Sequence, residues 1–140
     1  ISDEIKRRIT PIAICAVLAS LNFTTILYIG NVHTYFIMFL MFMFGVLSSG
    51  QSLVFALGKE LNFQRFAGSA IAFTNMAVMI SGVVLQPLIG YTLDKLWTGM
   101  KSPDGAMLFS NHDWILALTI VPICYLLAAF IAKFLVKETY

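Results

Sequence analysis

Charged side chains are scarce in this sequence. Only 11% of its 140 residues are Asp, Glu, Lys or Arg, while 59% are hydrophobic, and soluble domains average about 25% charged residues. This scarcity excludes an ordinary soluble domain. A net charge of +2, spread along the chain, also excludes a nucleic-acid partner. The composition therefore predicts a protein embedded in a lipid bilayer.

Residues suited to catalysis or metal binding are equally scarce. The two cysteines, Cys15 and Cys124, lie within apolar runs and are expected to behave as small core residues. His33 and His112 have no Cys, Asp or Glu cluster at metal-ligand spacing. The sequence also lacks a Gly-rich phosphate loop and a nucleophile beside a base. We therefore predict no enzyme activity, no metal site and no cofactor.

Long apolar stretches occur instead. The stretch between Arg65 and Asp94 holds 28 residues without a charged side chain, and about 20 are enough to cross the hydrocarbon core. We predict an all-α polytopic membrane protein, with a cytoplasmic loop at residues 1–8 and a four-helix transmembrane part at residues 9–140. The predicted spans cover about 9–29, 35–57, 67–93 and 114–136.

Several residues give local expectations within these spans. Gly58 is expected to cap the C-terminal end of the second span. Pro122 predicts a kink in the fourth span, which is apolar nearly all round and is expected to face lipid. In the first span, Thr24 and Thr25 are expected to bond to carbonyls one turn earlier, and Asn22 to reach a neighbouring helix.

One side of the third span is less apolar than the rest. Its small and polar residues recur at alternating steps of four and three, so they share nearly one side of a helix. This side, the amide face, consists of Gly68, Ala72, Asn75, Met79, Gly82, Gln86 and Gly90. Lipid offers no partner to an amide, so Asn75 and Gln86 are expected to face protein or a water-filled path.

The second half of the second span is rich in small and polar residues. They are Gly45, Ser48, Ser49, Gly50, Gln51 and Ser52. Two roles remain open for Ser48 and Gln51, namely tight helix packing or lining of a polar path. No acidic or basic residue lies at hydrocarbon depth, so a proton-coupled transporter would need its titrating group elsewhere.

The basic residues predict an orientation. Only Lys95 and Lys101 lie on one side of the predicted topology. The other side carries Lys6, Arg7, Arg8, Lys59, Arg65, Lys133 and Lys137. Cytoplasmic loops carry the excess of Lys and Arg, so this second side and the C-terminus are expected in the cytoplasm. The chain opens without an initiator Met or a signal sequence, and we expect it to be a piece of a longer protein.

Three segments resemble the major facilitator superfamily of secondary transporters. The first eight residues, Ile-Ser-Asp-Glu-Ile-Lys-Arg-Arg, are similar to the family's cytoplasmic loop Gly-x-Leu-Ala-Asp-Arg-x-Gly-Arg-Arg. Arg65-Phe-Ala-Gly68, followed by Asn75, looks like the start of the family's eleventh helix. Gly82-Val-Val-Leu-Gln86-Pro87-Leu-Ile-Gly90 is similar to the pattern Gly-x-x-x-Gly-Pro-x-x-Gly.

The resemblance implies that the chain corresponds to helices nine to twelve, part of a six-helix half of a transporter. It implies alternating-access transport, in which two helical halves rock about a midplane site. The candidates for the solute cavity are Gln51, Ser48, Asn75 and Gln86. The candidates for a gate at the cytoplasmic mouth are Asp3, Arg7 and Arg8. The candidates for helix packing are Gly45, Gly68, Gly82, Pro87 and Gly90.

The uncharged polar groups favour a neutral or zwitterionic solute such as an amino acid, a nucleoside or a sugar. We expect a symporter of the bacterial inner membrane, whose partners are lipid, the solute and the preceding helices of the same protein. The alternative is a self-contained four-helix membrane scaffold or assembly subunit without transport activity, in which the small residues serve only as packing surfaces.

Overall fold

The protein is seen in a computed structural model that describes residues 9–30 and 32–136. This part of the chain is all-helical and contains no strand. Four helical spans are long and apolar enough to cross a membrane, namely Ile9–Tyr28, Thr34–Glu60, Gln64–Leu96 and Asn111–Leu135. The prediction of an all-α protein with four candidate transmembrane helices is therefore confirmed. We call these helices the first to fourth spans.

The first and fourth spans make the most extensive contact in the described part of the chain. Their facing residues are small, because Ala19 and Ser20 of the first span and Ala129 and Ala132 of the fourth are all buried. Small side chains allow two helix backbones to approach closely within a membrane. The Ser20 hydroxyl also donates a hydrogen bond of 2.9 Å to the Pro122 carbonyl oxygen. The fourth span is therefore covered on one side by the first span, and its expected contact with lipid would involve its other sides.

The fourth span is divided into two helices. Asn111–Leu118 ends before Thr119, and Ile120–Leu135 follows. Pro122 has no N–H to donate to the carbonyl four residues earlier, and its ring crowds that carbonyl. The helix is thus interrupted at Thr119 because of Pro122, the residue from which we predicted a kink.

The same span also begins earlier than the sequence suggested. Ser110 and Asp113 form a capping box, in which the Asp113 N–H donates to Ser110 Oγ and the Ser110 N–H donates to Asp113 Oδ2. This exchange satisfies backbone donors that a helix start otherwise leaves unpaired. The helix therefore starts at Asn111 instead of about residue 114.

The second span packs its first half against the first span. The rings of Phe23 and Phe44 have centroids 5.0 Å apart. Further along, a Cβ added at Gly50 would lie 2.8 Å from the Cys15 Cβ, which is closer than two carbon atoms can approach without displacement. The absence of a side chain at Gly50 is what allows the first and second spans to come together there.

Gly58 is not a helix cap, and that prediction was wrong. The helix Ser52–Glu60 continues through it. A Cβ at this position would lie 2.9 Å from the Thr74 Oγ1 of the third span. Gly58 allows the second and third spans to approach closely. A glycine near the end of an apolar run gives the same sequence signal for a helix cap and for a close contact between helices.

The third span contacts the second span near one of its ends and the fourth span near the other. Its covered side includes Ala70, Thr74, Val78, Leu85 and Ile89, which are less exposed than their neighbours. At about 100° per residue, this side lies roughly a quarter turn from the amide face. Through most of its length the third span therefore packs against the described helices through a different side from the one that the sequence singled out. Near its Leu96 end the amide face is partly covered, because Leu93, the buried residue of this helix, lies at the same helical angle as Asn75.

Candidate functional site

The second span changes its helical form near its centre. An α-helix runs over Thr34–Ser48, a 3-10 turn over Ser49–Gln51, and a second α-helix over Ser52–Glu60. The Ser49 hydroxyl donates to the Val46 carbonyl at 2.6 Å, and the Ser52 hydroxyl donates to the Ser49 carbonyl at 2.8 Å. Serine hydroxyls that bond back to the helix in this way favour local bending, and a 3-10 stretch within a helix often marks a hinge. We call residues 48–52 the serine turn.

Ser48, a candidate for the solute cavity, has a partner on another span. Its Oγ lies 3.0 Å from the hydroxyl oxygen of Tyr125, within hydrogen-bond distance. The Tyr125 ring also packs edge-on against Phe44, with centroids 5.7 Å apart. Ser48 thus joins the second and fourth spans, and its place in a solute cavity stays a prediction.

Gln51 has a different environment from Ser48. It closes the 3-10 turn and its side chain is exposed. The hydroxyls of Ser49 and Ser52 bond to carbonyls of the same span, and that of Ser48 meets Tyr125, so these hydrogen bonds leave the amide of Gln51 outside them. An exposed amide in the middle of an apolar span is the kind of group that lipid cannot satisfy. Gln51 therefore remains a candidate for a polar path.

Asn75 and Gln86 are both exposed on the third span. At about 1.5 Å per residue, Asn75 lies roughly 16 Å from the Gln64 end of the span, and Gln86 lies roughly 15 Å from the Leu96 end. Both amides are therefore at hydrocarbon depth if the span crosses a bilayer. The described part of the chain brings neither of them against Ser48 or Gln51, and it leaves every residue of the amide face except the half-buried Gly82 exposed.

The glycines predicted to pack against other helices have open surroundings. A Cβ added at Gly45, Gly68, Gly82 or Gly90 would meet no atom within 4 Å. Pro87 is exposed within the helix Ala67–Leu96. Their packing role stays a prediction, because it would require contacts beyond those of residues 9–30 and 32–136. The predicted gate residues, Asp3, Arg7 and Arg8, lie outside the described residues.

The first span contains polar groups of two kinds. Thr24 and Thr25 donate to the carbonyls of Ser20 and Leu21 at 2.8 Å each, as the sequence predicts. Asn22 differs, because its Oδ1 is buried and has no hydrogen-bond partner. An unsatisfied buried acceptor is destabilising by about 1–3 kcal/mol. The expected bridge from Asn22 Oδ1 to a neighbouring helix is therefore absent from the described contacts.

Two polar contacts between spans had little or no signal in the sequence. Tyr125 and Thr119 are the hydroxyl-bearing residues in the body of the fourth span. A tyrosine hydroxyl within an apolar run was the available signal that Tyr125 meets another polar group. Ser20 gave no such signal, since a serine in an apolar helix can equally bond within its own helix. Its partner, the Pro122 carbonyl, is a backbone group whose position depends on helix packing.

The histidines lie apart from any metal-binding arrangement in the described residues. The His33 ring stacks on the Tyr35 ring, with centroids 5.2 Å apart. Across residues 9–30 and 32–136, no three His, Cys, Asp or Glu side chains come close enough to hold a metal ion.

No protein-family model, no curated protein and no solved structure matches this chain.

Proposed function

We propose that the chain forms part of a secondary membrane transporter that moves a small neutral or zwitterionic solute by alternating access. The observation that carries the proposal is the amide face of the third span, where Asn75 and Gln86 are exposed well inside a helix long and apolar enough to cross a membrane. An amide gains no hydrogen bond from acyl chains, so such residues face a bundle interior or a water-filled cavity. Further helices and a solute path would supply the hydrogen-bond partners that lipid cannot.

The serine turn supports the same proposal. Substrate sites of secondary transporters lie near the bilayer midplane and are often built from helices that are broken there. The 3-10 turn at Ser49–Gln51 divides the second span near its middle and leaves the Gln51 amide exposed. In this proposal Gln51 and Asn75 bind the solute by hydrogen bonds, and the turn absorbs the change in helix direction as the two halves rock.

The gate belongs to the proposal as well. Asp3, Arg7 and Arg8 would form a charge cluster at the cytoplasmic mouth that tightens in one state and loosens in the other. The resemblance to the major facilitator superfamily supports these roles, the place of the chain in the C-terminal half, the symport mechanism and the bacterial inner membrane. Replacing Asp3 by Asn should lower transport markedly, and unchanged uptake would remove the gate from the mechanism.

The experiment that tests the proposal is uptake by the intact protein in proteoliposomes. Labelled amino acids, nucleosides and sugars would be offered with and without a proton gradient. Asn75→Ala and Gln86→Ala should each reduce the uptake of the accepted solute, while Val84→Ala, an exposed apolar residue on the same helix, should not. Absence of uptake for every solute class, with the protein shown to be folded, would contradict the proposal.

A scaffold or assembly subunit is the second candidate, and one observation favours it. Ser48 and Ser20 use their hydroxyls to join spans, through Tyr125 and the Pro122 carbonyl respectively. Polar residues used in this way need no solute to explain them. The two candidates differ in the uptake assay, because a scaffold without a transport path takes up no solute. For a scaffold, Asn75→Ala and Gln86→Ala would be tolerated only if the assembly partner stayed bound.

A further inference from the structure

One groove lies at the end of the helices where the second span gives way to the third. It is lined by Gly58 and Asn62 on one side and by Phe66, Ser69, Ala70, Phe73 and Thr74 on the other, and it encloses about 300 Å³. Gly58 contributes no side chain, and Asn62 is held back by a bond of 2.8 Å from its Nδ2 to the Gly58 carbonyl. These two features keep the groove open.

The lining of the groove combines two kinds of surface. Phe66, Ala70 and Phe73 are apolar, and Phe73 is 67% exposed. Asn62 and Ser69 add an amide and a hydroxyl that can bind an anionic oxygen. A volume of 300 Å³ is at the small end of ligand pockets. It is therefore suited to one part of a larger molecule.

The rim of the groove is basic. The Arg65 guanidinium carbon lies 5.8 Å from the centroid of the Phe66 ring, which is itself part of the lining. Lys59 adjoins Gly58 in sequence and is exposed, and Glu60 is the one acidic residue between Gly58 and Phe66. A guanidinium presents a planar set of donors that matches the oxygens of a phosphate. The charge at the rim thus favours an anion.

The surroundings of the groove point to a molecule of the bilayer. Phe63 is 84% exposed, and Leu61 and Phe66 are each 53% exposed. Leu61 and Phe63 lie in the link between two candidate membrane spans, and Phe66 lies in the first turn of the third span. The ends of spans that cross a bilayer lie where headgroups meet acyl chains. Basic pockets between transmembrane helices at this depth bind the headgroups of anionic lipids.

We propose that this groove binds one anionic phospholipid, with its phosphate beside Arg65 and the first part of an acyl chain along Phe66 and Phe73. The lipid is recognised by a cation at the rim and an apolar floor beneath it. A zwitterionic lipid presents the same phosphate together with its own cation, which weakens the attraction to Arg65. The proposal is independent of transport.

The test measures lipid preference beside the groove in the intact protein, held in nanodiscs. A bimane fluorophore is attached to Phe63→Cys in a background without other cysteines, and nitroxide-labelled phosphatidylglycerol or phosphatidylcholine serves as the quencher. We expect phosphatidylglycerol to bind about fivefold more tightly, the factor typical of one basic residue beside an anionic surface. Equal quenching by the two lipids would overturn the proposal.

Two pairs of variants locate the effect. Arg65→Gln should abolish the preference, whereas Lys133→Gln should preserve it, although Lys133 lies in a similar position 5.7 Å from the Phe134 ring centroid. Ser69→Leu should fill the groove and weaken quenching by both lipids, while Ser81→Leu on the same helix should not. Equal loss in Lys133→Gln would indicate a diffuse basic surface and would contradict the proposal.

A last quenching experiment distinguishes binding of a lipid from binding of a free anion. Inorganic phosphate is added at constant ionic strength to the unsubstituted groove. If the groove binds lipid, the preference for phosphatidylglycerol should persist. Its complete removal by inorganic phosphate would assign the groove to a soluble phosphate and overturn the proposal of a lipid.

Discussion

The close approach of the first and second spans at Gly50 gives the sharpest test of the packing. Replacing Gly50 by Ala adds a single Cβ, which would lie 2.8 Å from the Cys15 Cβ and 3.2 Å from its Sγ. The Sγ can turn away by rotation about the Cα–Cβ bond, but the position of the Cβ is fixed by the helix backbone. The two spans must then separate locally or shift along each other.

Two opposing effects decide the sign of the change. In a helix interior Ala is more favourable than Gly by about 0.8–1 kcal/mol. Inserting a group into a packed interface is destabilising by about 1–3 kcal/mol. We therefore expect Gly50→Ala to lower the free energy of unfolding by up to about 2 kcal/mol. Gly45→Ala, where a Cβ meets no atom within 4 Å, should raise it by up to about 1 kcal/mol.

The assay is reversible unfolding in mixed detergent micelles, followed by circular dichroism. The double variant Gly50→Ala, Cys15→Gly removes the atom that the new Cβ would meet. It should therefore show a favourable coupling of about 1–3 kcal/mol relative to the two single variants. If Gly50→Ala and Gly45→Ala shift stability in the same direction by the same amount, the close approach at Gly50 is wrong.

Three further predictions concern polar groups. Ser20→Ala should lower the free energy of unfolding by about 0.5–1.5 kcal/mol, because it removes the bond to the Pro122 carbonyl. Thr25→Ser, which keeps a bond within its own helix, is the control. An equal loss of stability in both variants would contradict a bond between the spans at Ser20. Ser48→Ala and Tyr125→Phe should show a coupling of about 0.6–1.7 kcal/mol in a double-mutant cycle, and additive effects would mean that the two hydroxyls do not interact. Ser110→Ala should destabilise the start of the fourth span by about 1 kcal/mol, measured by unfolding against Ser102→Ala in the preceding link; equal stability of the two would remove the capping box from the account.

Composition was enough to predict the class of this fold. Four apolar stretches separated by short polar links have few alternatives, since every backbone group within a bilayer needs an internal partner. The ends of the helices were harder. The pair Ser110 and Asp113 was a readable signal for the start of the fourth span, whereas the glycine at position 58 gave the same signal for a cap and for a close contact.

The packing side of the third span could not be deduced from its own sequence. Two of its sides carry small residues, the amide face and the side with Ala70 and Thr74. A helical pattern gives the angle between such sides, but it does not say which neighbour covers each of them. The register that places Gly58 against Thr74 depends on how the second and third spans pack, and this is a property of the fold as a whole.

The central claim is that the amide face meets protein or water and never acyl chains. The direct measurement is electron paramagnetic resonance of nitroxides at Asn75→Cys and Gln86→Cys, compared with Val84→Cys, in the intact protein in bilayers. Lipid-soluble oxygen should collide with the labels at 75 and 86 clearly less often than with the label at 84, or a water-soluble nickel complex should reach them more often. Oxygen collision rates at 75 and 86 equal to the rate at 84, without nickel access, would place both amides in lipid and contradict the account.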